Sequence, residues 1–144
     1  MKYATILAVD DRVKRWRAVG VIAHNTHGVA VIKFDRQDPV VQRNREFLLM
    51  ERSYNEALEE GELTFYEKRP QYESCSPIGR ISTSDKDFIA KCKEKLEQSG
   101  SQKLMLIGEI RTYPSENILE HIDRLLEEVT SANAGTQPAP AAGR

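Results

Sequence analysis

The sequence predicts an α+β domain: a mainly antiparallel sheet that opens with a three-stranded meander, with three helices packed on it. Three observations lead there. Three β-rich apolar runs follow one another before Asp35, separated by short polar turns. Further along, apolar residues recur at spacings of three, four and seven in three separate segments. With 144 residues, the chain is the size of one ordinary domain and can bury a core without disulfides or a structural metal.

The first run, Tyr3 to Val9, has too few polar residues for a strand wetted on one side, so it is expected in the middle of the sheet. Trp16 to Ala23 and Val29 to Phe34 are the second and third strands. His24-Asn25-Thr26-His27-Gly28 joins them, a segment whose Asn and Gly accept positive φ. After Pro39, the positions Val40, Val41, Phe47, Leu48, Tyr54 and Leu58 predict one helix of about five turns that stops at Gly61. Leu63 to Tyr66 is a short strand, Glu67 to Pro77 a loop, and Ile78 to Ser82 another short strand. Ser84, with Asp87 three residues on, is expected to cap a second helix whose stripe is Phe88, Ile89, Cys92 and Leu96, ending near Ser99-Gly100. Lys103 to Gly108 reads as a buried strand. Ser115 is expected to cap the third helix, with the stripe Ile118, Leu119, Ile122, Leu125, Leu126 and Val129. Residues 1–130 thus form one domain. Residues 131–144, with no large apolar side chain, read as a disordered tail that cannot offset its ordering entropy.

Composition narrows the function classes. No run of about 18 apolar residues exists to span a bilayer, and the first strand lacks the features of a secretory signal, so a cytoplasmic protein without a membrane partner is expected. Cys75 and Cys92 are then reduced thiols. Net charge is −1, but residues 1–45 hold nine Lys/Arg against four Asp, which leaves the acidic excess to the remainder. Such asymmetry suits an anionic partner, a self-complementary homodimer, or two solvated faces of a neutral protein.

Several constellations can be weighed. Ile6-Leu7-Ala8-Val9-Asp10-Asp11 resembles the first strand and acidic pair of response-regulator receiver domains, but the Arg-rich, β-branched continuation and the lack of a later strand-end Asp in the right place reject a receiver. Asp10 and Asp11 then serve as turn residues. His24 and His27 on one tight turn, with Asp10, Asp11 or Asp35, would be the ligands of a divalent-metal phosphoesterase. Arg12, Lys14, Arg15 and Arg17 surround Trp16, a mixture suited to phosphate contacts and base stacking in a nucleic-acid-binding module. Arg80-Ile81-Ser82-Thr83-Ser84 before a helix could hold an anion, or simply cap that helix. No P-loop, dinucleotide-binding glycine motif or acyl-transfer triad occurs, so no cofactor is implied.

Tyr3-Ala4-Thr5-Ile6, a charged turn and Val19-Gly20-Val21-Ile22 resemble the opening of an uncharacterised bacterial domain-of-unknown-function family, over about the first 35 residues. That family usually has Glu and Asn shortly before the glycine, where this chain has Arg15, Trp16 and Ala18. Some of its members are encoded beside kinase-like toxin homologues, which implies an accessory protein and supplies no activity. The function expected from the sequence is therefore a non-enzymatic accessory or regulatory domain with an unidentified protein partner. Nucleic-acid binding and metal-dependent phosphoester hydrolysis are the alternatives.

Overall fold

A computed structural model describes residues 1–10, 12–44, 46–68, 75–98 and 105–135. The main sheet contains β1 (Lys2–Asp10), β2 (Arg15–His24), β3 (Ala30–Phe34) and β6 (Met105–Ile107) in the order β3-β2-β1-β6, with the two-residue β7 (Arg111–Thr112) also on β1. Every pairing is antiparallel, and β1 lies in the middle, as its apolar run requires. β4 (Glu62–Lys68) and β5 (Cys75–Ser82) form a separate antiparallel hairpin. The helices are α1 (Pro39–Arg43), α2 (Glu46–Glu59), α3 (Phe88–Gln98) and α4 (Ile118–Thr130). None among the described residues is long and apolar enough to cross a membrane.

The alternation of β1 and β2 divides the core between two layers. Ala4, Ile6, Ala8, Val19 and Ile22 join α2, α3 and the β4–β5 hairpin through Leu58, Phe88, Cys92, Leu63 and Ile81. Tyr3, Val21 and Ala23 meet Ile118, Ile122, Leu125 and Val129 of α4 on the opposite face. The Tyr3 hydroxyl donates to the Glu128 carboxylate at 3.2 Å and so ties α4 to the central strand. Burial first, and then the Glu128 charge, raise the pKa of this phenol. On the other face, burial alone pushes the Cys92 thiol up to about 12. Native protein treated with iodoacetamide at mildly alkaline pH is expected to leave Cys92 unmodified, and unfolded protein to react there. Peptide mass mapping of the two samples checks this.

Gly20 permits the closest approach in the sheet. It lies opposite Ile6 on one side and Phe34 on the other, beside a register shift between Ile6 and Leu7. A Cβ at this position would stand 2.7 Å from the Lys33 carbonyl oxygen and 2.9 Å from Phe34 Cδ1. The glycine therefore lets β3 close on β2.

The free edges of the meander are covered by side chains that imitate a strand. Asn55 of α2 accepts from the Ile32 N–H at 2.9 Å and donates to the Ile32 carbonyl at 3.0 Å, and Glu51 accepts from the Phe34 N–H at 2.8 Å. Where β2 runs on past β3, Asn133 does the same for Ala18, accepting from its N–H at 2.9 Å and donating to its carbonyl at 2.8 Å. Strand addition at these positions is blocked by groups already bonded there.

Several boundaries differ from the sequence expectation. The single helix after Pro39 is two. Asn44, with φ −123° and ψ 81°, leaves the helical region, and its side-chain amide and backbone N–H both donate to the Val40 carbonyl. A short polar side chain competing for backbone groups has ended α1. Ser84 does not cap α3: its N–H donates to Ser82 Oγ, its own hydroxyl contacts that same oxygen, and the helix begins at Phe88. Asn117, not Ser115, caps α4 by accepting from the Glu120 N–H. The expected loop from Glu67 to Pro77 is strand at both ends, and its centre, residues 69–74, lies outside the described residues. The start of the predicted Lys103–Gly108 strand and the predicted helix end at Ser99-Gly100 also lie outside them. Ser131–Gly135 forms a 3-10 turn, which carries Asn133, where a flexible tail was expected. Residues 136–144 are not among those described.

Candidate binding groove

The turn between β1 and β2 is built by Asp10. Its carbonyl accepts from the Val13 N–H at 3.2 Å, and its Oδ1 accepts from the Arg12 N–H at 3.1 Å. Lys14 follows with φ +53°, the left-handed residue that returns the chain into β2. Two charges of this segment, those of Asp10 and Arg17, are spent within the fold. Arg43 pairs with Asp10 Oδ1 at 3.1 Å. The Arg17 guanidinium donates at 2.8 Å to the buried Asp38, whose other oxygen caps α1 by accepting from the Val40 N–H. Trp16 is half-buried, and its indole Nε1 lies inside the protein without a hydrogen-bond partner among the described residues. Arg12, Lys14 and Arg15 remain on the surface. The Nε1 edge of the proposed base-stacking platform is thus turned into the fold, while three of its cations stay outside.

The proposed metal ligands do not converge. Asp10 is paired with Arg15 at one end of β2 and His24 stands at the other, roughly 30 Å away at the rise of an extended strand. Asp35 follows β3 at the end remote from His24 and His27, where its Oδ1 accepts from the Gln37 N–H. Asp11 lies outside the described residues. Among those described, no three His, Cys, Asp or Glu side chains group closely enough to hold a metal.

At the His24 end of the sheet the chain forms a groove of about 690 Å³, within the range of small-ligand sites. The start of β1, the β2–β3 turn, the Thr83–Asp87 turn before α3 and Thr112 of β7 contribute its walls. The β2–β3 turn is held from within by Asn25. Its Oδ1 accepts from the N–H groups of His27 and Val29, and its Nδ2 donates to the Glu116 carbonyl at 2.9 Å. Gly28, at φ +79°, closes the turn.

His24 is buried in the wall. Its Nε2 lies 2.8 Å from the Thr83 carbonyl, which can only accept, so the ring proton sits on Nε2. Its face stacks on Phe88 at 4.8 Å between centroids. Asp85 pairs with Lys91 at 2.9 Å. Among the described residues Lys2 and Lys86 enter no ion pair, and both line the groove and an adjoining hollow together with His24 and Asp87.

Behind the β2–β3 turn, Glu116 takes the Thr26 hydroxyl and N–H on one oxygen and stands 2.6 Å from the Met1 ammonium on the other. The ammonium first, and the Thr26 donors next, lower this carboxyl to about 2. A carboxyl whose pKa is lower in the folded state stabilises above its unfolded pKa, near 4.3. That contribution is lost as pH falls from there toward 2. Glu116→Gln is therefore expected to lower stability at neutral pH and to flatten its decline over this acid range, as urea titrations across the range would measure.

In the sequence His24, His27, Thr83 and Ser84 stand in separate roles, as metal ligands and as a pre-helix anion or capping segment. The groove brings all four together. Lys2, Lys86 and Thr112 were not singled out, because no local pattern distinguishes a solvated lysine from one facing a groove. No protein-family model matches the chain, and neither a curated protein nor a solved structure matches it.

Proposed function

We propose that the protein is a non-enzymatic accessory or regulatory domain that binds a protein partner in the polar groove at the His24 end of its sheet. One observation carries this reading: His24 and Asp85, two of the titratable groups lining the groove, are already committed to structure, while its lysines face outward. His24 spends its Nε2–H on Thr83 and its ring face on Phe88. Asp85 is held by Lys91. Such a wall is fixed before any ligand arrives, which suits recognition because little side-chain entropy is left to lose. The basic turn gives less support to nucleic-acid binding, since Trp16 is half-buried with its Nε1 edge inside and Arg17 is tied to Asp38.

The test places a photo-crosslinking residue at Ser84, on the groove wall, and another at Leu49, exposed on α2, in the protein expressed in its native host. A discrete protein adduct from position 84 and none from position 49 is the expected result. The absence of an adduct at 84, or identical products from both positions, would overturn the assignment.

A further inference from the structure

We infer that the groove seats an oxyanion, a phosphate or carboxylate group carried by the partner protein, between Lys2 and Lys86 in front of His24. This rests on the partner-binding reading above and adds the chemistry recognised. Three independent features converge. The first is the cavity itself, whose rim carries Lys2 from β1 and Lys86 from the turn before α3, neither neutralised by an ion pair among the described residues. Two ammonium groups from different segments can hold one anion from two sides.

The second feature is α3. Its eleven residues begin at Phe88, directly after the lining segment Thr83–Asp87, so the positive end of the helix lies at the groove. The third is a neutral donor, the hydroxyl of Thr112, which also lines the groove. Of the two acidic lining residues, Asp85 is neutralised by Lys91. Among the described lining residues, Asp87 alone opposes an anion. A carboxylate there limits affinity for a free ion and leaves tight binding to a ligand with further contacts, which a protein segment supplies.

The imidazole resonances of the three histidines provide the readout, because His24 and His27 line the groove and His121 lies on α4. Inorganic phosphate, acetate and chloride are titrated separately into the full chain at matched ionic strength. Saturable shifts at His24 and His27 with phosphate, and little at His121, are expected. The double variant Lys2→Ala/Lys86→Ala should weaken the apparent affinity about tenfold or more, given the strength of charged hydrogen bonds, and Asp87→Asn should tighten it. A response to phosphate but not acetate assigns a phosphoryl group, and a response to both assigns a carboxylate-competent site.

Shifts no larger than with chloride, or unchanged in the double-lysine variant, would overturn the inference. If the Ser84 crosslinker captures a partner while the anions have no effect, only this inference fails. Saturable anion shifts without a protein adduct would overturn the partner reading and leave the anion site.

Discussion

Replacing Phe88 with alanine is expected to destabilise the protein by about 3–5 kcal/mol, the range for removing a fully buried aromatic side chain. Phe88 is completely buried at the start of α3, inside the core that joins α3 to the sheet. Its removal leaves a cavity there. It also takes the stacked face away from His24, so the ring that walls the groove keeps only its bond to the Thr83 carbonyl. Urea unfolding gives the stability loss, and the His24 resonance at low denaturant reports the freed ring. Phe88→Leu should recover much of the stability, since it refills most of the volume, while the ring-stacking shift at His24 stays lost. A loss below about 1 kcal/mol for the alanine variant would contradict the packing described.

Gly20→Ala is the second large effect, expected at about 3 kcal/mol, toward the upper end for overpacking. The added methyl meets the backbone carbonyl of Lys33 at 2.7 Å, and backbone in a paired strand cannot swing aside. Either β3 moves away from β2 or the pairing at Phe34 is lost. Gly79→Ala provides the matched control. Its Cβ would meet the Lys95 ammonium at 2.6 Å, the far end of a flexible side chain that can rotate into solvent. That variant should change stability by less than about 1 kcal/mol. The contrast between the two glycines in thermal melts tests the idea that Gly20 is fixed by strand–strand distance and not by turn geometry.

The meander was legible because its signals are local: apolar runs of strand length, separated by turns whose Asn, Asp and Gly residues bond their own backbone. The stripe of α4 was equally plain. What could not be read was which face each helix covers, since periodicity gives an apolar stripe its direction on the helix and says nothing of which side of a sheet receives it. The break at Asn44 was missed because the apolar spacing on either side of it is continuous, whereas the cause is a side-chain hydrogen bond. Ser84 and Ser115 follow the composition rule for caps, yet each bonds within its own turn. The groove was least legible. It draws on residues from Met1 to Thr112, and nothing in the spacing of Lys2 and Lys86 announces that β1 and the α3 turn meet.

The covering of β3 by α2 works as a ruler. Glu51 and Asn55 are four helical residues apart, an advance of about 6 Å, and the strand residues they serve, Phe34 and Ile32, are two apart, an advance of about 6.6 Å. The two periods agree closely over this one step and diverge with each further one, so a helix can imitate a strand here for two positions and no more. Inserting a single residue between Glu51 and Asn55 would turn one anchor by roughly 100° relative to the other. One end of the β3 edge would then open, and the sheet would have a place for a foreign strand to join. The length of β3 and the spacing of two polar residues on α2 are thus one constraint, and neither can change alone without uncovering part of the β3 edge to a foreign strand.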